Sequence, residues 1–224
     1  LVGVSLERVI GNQTMSAKVW IFDLDDTLHN ASAHIFPHLN RAMTRYMMEH
    51  LEMDEPAAHA LRQHYWNVYG ATLKGLTRHH GVDPHHFLQN THQFAELPAM
   101  VVAAKNLRYS LQRLRGRKVV FTNAPIAYAS RVLDLIGIQD IFETVFSIES
   151  TRFHPKPSLR GFSGLLKLLG VNGGNCIMVE DSLPALRTAK RLGMKTVYVT
   201  KTLNKPNYVD ARINSVLALT RIKL

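Results

Sequence analysis

Val19-Trp20-Ile21-Phe22-Asp23-Leu24-Asp25-Asp26-Thr27-Leu28 passes without interruption from four apolar residues into a cluster of carboxylates. An apolar run without alternation is what a strand buried on both faces of a parallel sheet looks like. Side chains alternate along a strand, so Asp23 and Asp25 tend to point the same way and Leu24 the other. Two carboxylates at the carboxyl end of a first strand lie where open parallel sheets bind ligands. Left alone they would repel and raise each other's pKa, and a divalent cation between them removes that problem. Acidic loops also cap helices, so this motif does not decide the chemistry alone.

Four further short runs have the same character: Lys118-Val119-Val120-Phe121, Thr144-Val145-Phe146-Ser147, Cys176-Ile177-Met178-Val179 and Thr196-Val197-Tyr198-Val199. Helical patterns over 127–136, 159–169 and 184–192 separate them, and each is followed by a glycine suited to a left-handed C-cap: Gly137, Gly170 and Gly193. Strand alternating with helix predicts an α/β fold, a doubly wound, Rossmann-like parallel sheet. The gap between the first two runs holds about 95 residues without a convincing strand, far more than a simple crossover needs. It reads as helices over 35–51, 55–69, 71–79, 84–94 and 98–114. The expected organisation is a catalytic core of residues 18–31 and 105–224 with an inserted α-helical cap of residues 32–104. Residues 1–17 show no clear period, and Met15 stands just ahead of the first strand, so they read as an N-terminal extension that is not native or is disordered.

The ends of the other strands repeat the polar theme. Thr122-Asn123 follows the second strand, where a hydroxyl and free backbone N–H groups can cradle a phosphate, or cap a helix. Lys156 lies between Pro155 and Pro157 after the third strand, a stiff loop that would hold an ammonium in place for an anion. Glu180-Asp181 ends the fourth strand and adds a second carboxylate pair, the oxygen-rich surrounding that Mg²⁺ prefers, although an acidic helix N-terminus would look alike.

The order of these elements, each at a strand's carboxyl end, resembles the motifs of the haloacid dehalogenase superfamily from about Lys18 to Thr200. In that resemblance Asp23 is the nucleophile and Asp25 the general acid and base. Thr122, Asn123 and Lys156 hold phosphate. Mg²⁺ is bound by Asp23, Asp181, the Asp25 backbone carbonyl and Glu180, the last directly or through water. The insert resembles a C1-type cap. Its segments Tyr65-Trp66-Asn67-Val68-Tyr69-Gly70-Ala71-Thr72-Leu73-Lys74-Gly75-Leu76 and His79-His80-Gly81-Val82-Asp83-Pro84 are similar to the pyrimidine 5′-nucleotidase branch, as is Asp25-Asp26-Thr27-Leu28-His29-Asn30-Ala31-Ser32. Many relatives of that branch carry Asn-Thr-Leu-Tyr where this chain has Asp26-Thr27-Leu28-His29. The resemblance implies a phosphatase acting through an aspartyl-phosphate on a small phosphorylated substrate, with a pyrimidine nucleoside 5′-monophosphate as the expected one. Tyr65, Tyr69, Thr72 and Lys74 are the candidate specificity residues; packing is the plainer role for the tyrosines.

Composition narrows the rest. Charged residues make up 20% and hydrophobic residues 46%, as in folded soluble proteins, and no run approaches the ~20 apolar residues of a membrane span. The formal net charge of +10 is spread along the chain, and the densest group, Arg113, Arg115, Arg117 and Lys118, reads as a solvated helix end and turn, so no nucleic-acid partner is expected. Cys176 is the single cysteine, which excludes an intrachain disulfide and fits a cytoplasmic setting, and it reads as a small buried hydrophobe. His79-His80 and His85-His86 read as solvated cap surface, since neighbours on a helix point about 100° apart. Either a monomer or a homodimer is compatible with this pattern. The rival readings are a phosphatase or phosphomutase for another ester, such as phosphoglycolate, pyridoxal phosphate or a sugar phosphate, and a non-catalytic nucleotide- or RNA-binding protein. Asp25 speaks against a dehalogenase, whose halide leaving group needs no proton.

Overall fold

The computed structural model describes residues 18–224, so the reading of residues 1–17 lies outside it. Six strands form one parallel sheet: β1 (Val19–Phe22), β2 (Arg117–Phe121), β3 (Thr144–Phe146), β4 (Cys176–Glu180), β5 (Lys195–Val199) and β6 (Ala211–Ile213). Their order is β3-β2-β1-β4-β5-β6, all neighbours parallel. The chain builds outward on one side of β1 and then on the other. The order reverses between β1 and β4, which is the switch point where such sheets form a crevice. β6 carries too short a signal to read from the sequence, being three residues at a sheet edge of which only Ile213 is buried.

Both faces of the sheet are covered, which explains the unbroken apolar runs. Trp20, Phe22, Val120, Ile177 and Val179 point into one layer with Val132 and Leu133 of a flanking helix. Val19, Ile21, Val119, Phe121, Cys176 and Met178 point into the other, against Phe162, Leu165 and Leu186. Burial pushes the Cys176 thiol up to about 11, so it behaves as the inert hydrophobe its surroundings require.

The helices in chain order are α1 (Ile35–Leu51), α2 (Glu55–Tyr69), α3 (Thr72–His80), α4 (Pro84–His92), α5 (Leu97–Met100), α6 (Leu107–Gln112), α7 (Ile126–Leu135), α8 (Leu159–Leu169) and α9 (Leu183–Arg191). α1 to α4 pack about their own apolar cluster, with Tyr46, Met47, Leu76 and Phe87 at its centre. Asp54 and Asp83 cap α2 and α4 by accepting from Ala57 N and His86 N. Gly70 and Gly81 end α2 and α3 at φ 76° and 64°.

The single helix expected over 98–114 is two short ones. Between them the return segment leaves helical geometry, and Val102 O accepts from Asn30 N at 2.8 Å. The β-branched pair Val101-Val102 resists a helix, and the hydrogen bond ties the chain's way into the insert to its way out. The fold is therefore a doubly wound α/β core carrying an inserted helical unit.

Candidate active site

Asp23 sits one residue beyond β1, where its N–H still donates to Val179 O at 3.0 Å. That bond fixes it against β4, whose last residue is Glu180. The Lys156 ammonium bridges the two carboxylates at 2.6 Å to Asp23 Oδ1 and 2.6 Å to Glu180 Oε2. All three side chains are buried. Lys156 is held by its backbone as well: the Asn123 amide accepts from Lys156 N at 2.7 Å and donates to Lys156 O at 3.0 Å. Asn123, predicted to contact phosphate, thus first positions the lysine.

Glu180 is committed on both oxygens, since Oε1 accepts from Asp181 N at 3.2 Å and Ser182 N at 3.1 Å. Asp181 Oδ1 accepts from Thr27 Oγ1 at 3.4 Å. The Thr122 hydroxyl accepts from Ala124 N at 3.0 Å, which leaves its own proton free to be donated to a ligand. Asp25 Oδ1 accepts from Tyr128 OH at 2.7 Å and pairs with His29 Nε2 at 2.8 Å. His92 packs edge-on against Tyr128, with ring centres 5.9 Å apart.

The electrostatics show an excess of negative charge. Burial, then Glu180, pushes Asp23 up to about 7 against the pull of Lys156. Burial likewise raises Glu180 to about 7 and Asp181 to about 6. For Lys156, burial works to lower the pKa, but Asp23 and Glu180 outweigh it and hold the ammonium above its ordinary value. Burial keeps His92 down at about 4, so it is uncharged near neutrality. Asp23, Glu180 and Asp181 each offer a carboxylate oxygen within 4.8 Å of the others. One lysine does not balance three carboxylates, and a hard divalent cation suits an all-oxygen set. Among the described residues this is the one such gathering of possible ligands. His79 and His80 instead bond Tyr69 and Tyr65, and His86 bonds Tyr46.

A stability prediction follows from the signs. A carboxyl group whose folded pKa is raised contributes stability below its ordinary pKa and loses it as pH rises through the folded value. Metal-free protein should therefore melt several degrees lower at pH 8 than at pH 5, at about 2–4 °C per kcal/mol. Asp140, Glu143 and Asp210, which hold lowered values, are already ionised across this window, and His92, held down at about 4, works the other way up to its ordinary pKa but is one group against three. Added Mg²⁺ should raise Tm more at pH 8 than at pH 5; a Tm flat in pH and indifferent to the ion would contradict this charge balance.

The insert's candidate residues lie differently. Tyr65 is buried, its ring lies on Gly75, where a Cβ would come within 2.1 Å, and its hydroxyl pairs with His80 Nε2 at 2.8 Å. Tyr69 OH pairs with His79 Nε2 at 2.6 Å, and Thr72 Oγ1 donates to Arg62 O at 3.2 Å. Each of these hydroxyls has a partner inside the α2–α3 hairpin, and the structure gives Lys74 no side-chain partner among the described residues. The hairpin tip does reach the core: a Cβ on Gly70 would stand 2.8 Å from Lys156 O and 2.9 Å from Pro157 Cδ. His29, Tyr128, Thr27 and His92 are the site residues that motif reading did not assign. His29 had a signal, standing one tight turn beyond Asp25; Tyr128 and His92 come in through tertiary structure alone.

With this geometry in view, the comparisons are consistent. Residues 20–199 match the model of the haloacid dehalogenase-like hydrolase family. The chain belongs to that family. It is 26% identical over 193 residues to phosphate metabolism protein 8 of Saccharomyces cerevisiae, covering 79% of this chain and 60% of the yeast protein. It is 28% identical over 212 residues to the validoxylamine A 7′-phosphate phosphatase of Streptomyces hygroscopicus subsp. limoneus, covering 88% and 92% of the two chains. The fold is shared with a phosphatase from Thermococcus onnurineus, at TM-score 0.65, 20% identity and 91% and 96% coverage. An L-2-haloacid dehalogenase from Xanthobacter autotrophicus shares it too, at TM-score 0.59, 14% identity and 92% and 97% coverage. Fold alone therefore does not choose between phosphoryl and carbon chemistry.

Proposed function

We propose that this chain is a Mg²⁺-dependent phosphomonoester hydrolase working through an aspartyl-phosphate on Asp23. The observation that carries the reading is Asp23 paired with the buried Lys156 ammonium at 2.6 Å while Asp25, two residues on, remains outside that pair. A binding module has no use for a second, separately held carboxyl group, and a halide leaving group needs no proton.

Mg²⁺, held by Asp23, Asp181 and the Asp25 carbonyl, would supply positive charge against the phosphate oxygens. The engagement of both Glu180 oxygens supports a water-mediated contact from that residue. A carboxylate oxygen of Asp23 attacks phosphorus and the bond to the leaving oxygen breaks. Asp25 gives that oxygen its proton, then takes one from the water that attacks the aspartyl-phosphate, freeing Asp23 and inorganic phosphate. Lys156 and the Thr122 hydroxyl hold the phosphoryl oxygens, with the Asn123 N–H beside them.

Residues 32–104 act as a C1-type cap over the leaving group, and discrimination among esters comes from it. A pyrimidine nucleoside 5′-monophosphate is the first substrate reading, from the likeness of the segments 25–32 and 65–84 to that branch. A phosphorylated sugar or polyol is the second. It is favoured by the internal pairing of the Tyr65, Tyr69 and Thr72 hydroxyls, which ties each of them into the hairpin, and by the phosphatase of Streptomyces named above.

Phosphate release from UMP, CMP, AMP, phosphoglycolate, pyridoxal phosphate and a hexose phosphate tests both levels. Hydrolysis that chelation abolishes and Mg²⁺ restores is expected; no release from any ester overturns the phosphatase, and full activity after chelation overturns its dependence on the metal. A non-nucleotide preferred by more than about tenfold in kcat/KM, ~1.4 kcal/mol, removes the nucleotide reading alone.

A further inference from the structure

Asp25 is held by one oxygen only. Tyr128 OH and His29 Nε2 both lie on Oδ1, at 2.7 and 2.8 Å. No hydrogen bond from the described residues reaches Oδ2, although the Asp25 side chain keeps 15% of its surface open. Tyr128 is the donor here, its hydroxyl directed at Oδ1.

The tautomer of His29 follows from the second ring nitrogen. Its side chain is fully buried, and Nδ1 has no partner. A proton on Nδ1 would bury an unpaired N–H and would turn the Nε2 lone pair onto a carboxylate oxygen. With the proton on Nε2 the ring donates to Asp25, and only a lone pair is left unpaired. The turn that brings it there is tight: Leu28 N and His29 N both donate to Leu24 O, at 2.9 and 3.4 Å.

We propose that His29 and Tyr128 are positioning residues that together occupy Oδ1 of Asp25, so that the proton passed to and from the reacting oxygens is carried on Oδ2. The proposal rests on the phosphatase reading and adds to it which oxygen does the transfer and what holds it there. In the first step the Oδ2–H bond breaks, its proton goes to the departing oxygen, and the electron pair of that bond stays on Asp25. Oδ1 accepts the same two hydrogen bonds before and after. The carboxyl plane is thereby fixed in both forms, and no reorientation separates the acid step from the base step.

A leaving group that departs well as an anion does not need this proton, and one that departs as an alkoxide does. His29→Phe and Tyr128→Phe should each lower kcat/KM for an alkyl phosphate by about tenfold or more, within the range general-acid catalysis spans. Each should lower it for p-nitrophenyl phosphate by less than about threefold, because that nitrophenolate leaves unprotonated. His29→Gln, which keeps a donor near the position of Nε2, should recover most of the alkyl activity. Tyr128→Phe removes a single oxygen, so it carries the test even if a change at buried His29 disturbs folding. Equal losses on the two esters, or none on the alkyl ester, overturn the clamp alone. ¹⁵N NMR of the metal-free protein reads the His29 tautomer independently of activity. A proton on Nε2 supports the clamp, and a proton on Nδ1 with none on Nε2 overturns it. Failure of the wild type to turn over either ester overturns the phosphatase reading and Asp25's role within it.

Discussion

Replacing Asp23 with asparagine is expected to lower turnover by about a thousandfold or more while leaving the protein folded. Asparagine keeps the shape and an oxygen that can still accept from Lys156. What it loses is the anionic oxygen proposed above to attack phosphorus. The same change should not destabilise the metal-free protein, because Asp23 is ionised there against burial and against Glu180. Tm at pH 8 is therefore expected to stay level or rise, and the fall of Tm between pH 5 and pH 8 should flatten. The two readouts together separate a lost nucleophile from a lost fold. Asp23→Asn retaining more than roughly a tenth of wild-type turnover would exclude Asp23 as the nucleophile.

Lys156→Met is the second large expectation, and it acts on stability and turnover together. The ammonium contacts Asp23 and Glu180 at 2.6 Å each and lies 5.3 Å from the centre of the Phe121 ring. Methionine fills the space and leaves two buried carboxylates facing each other. Breaking a buried ion pair from one side costs about 3–5 kcal/mol, so Tm should drop by roughly 10 °C at neutral pH. The drop should shrink at pH 5, where the carboxyl groups take up protons. Asp23→Asn placed on Lys156→Met should recover part of it, a coupling that only neighbours show. Turnover should fall by about a hundredfold or more, since the charge against the phosphoryl oxygens is gone. A Tm within about 2 °C of wild type would mean that the lysine is not the counter-charge described here.

Much of this was legible before any coordinates. Five of the strands, and α1, α2 and α8 with their bounds, follow from apolar period and glycine position, because local pattern and tertiary burial agree there. Asp23, Thr122, Lys156 and Glu180-Asp181 were placed together by one rule, that ligands gather at the carboxyl ends of parallel strands. What escaped depends on neighbours far along the chain. Tyr128 lies 103 residues from Asp25, and no local signal marks it. Asn123 looked like a phosphate contact and also clamps the lysine backbone, a pairing that only the fold reveals. Helix 98–114 was overextended because periodicity does not register a segment drawn straight by its partner across the insert's neck.

That neck has a consequence for how such chains diversify. The hydrogen bond between Asn30 and Val102 pins the two ends of the insert side by side. To the sheet, everything between them is a closed loop whose length scarcely matters, since the entropy of closing a loop grows only with the logarithm of its size. Helices away from Ile35, Leu39 and Gly70, where the insert packs on the core and on Lys156, can be added, dropped or traded there without moving Asp23, Lys156 or Asp181. Selection for a new leaving group can then work on the insert as an exchangeable attachment, while the chemistry of the phosphate is inherited unaltered.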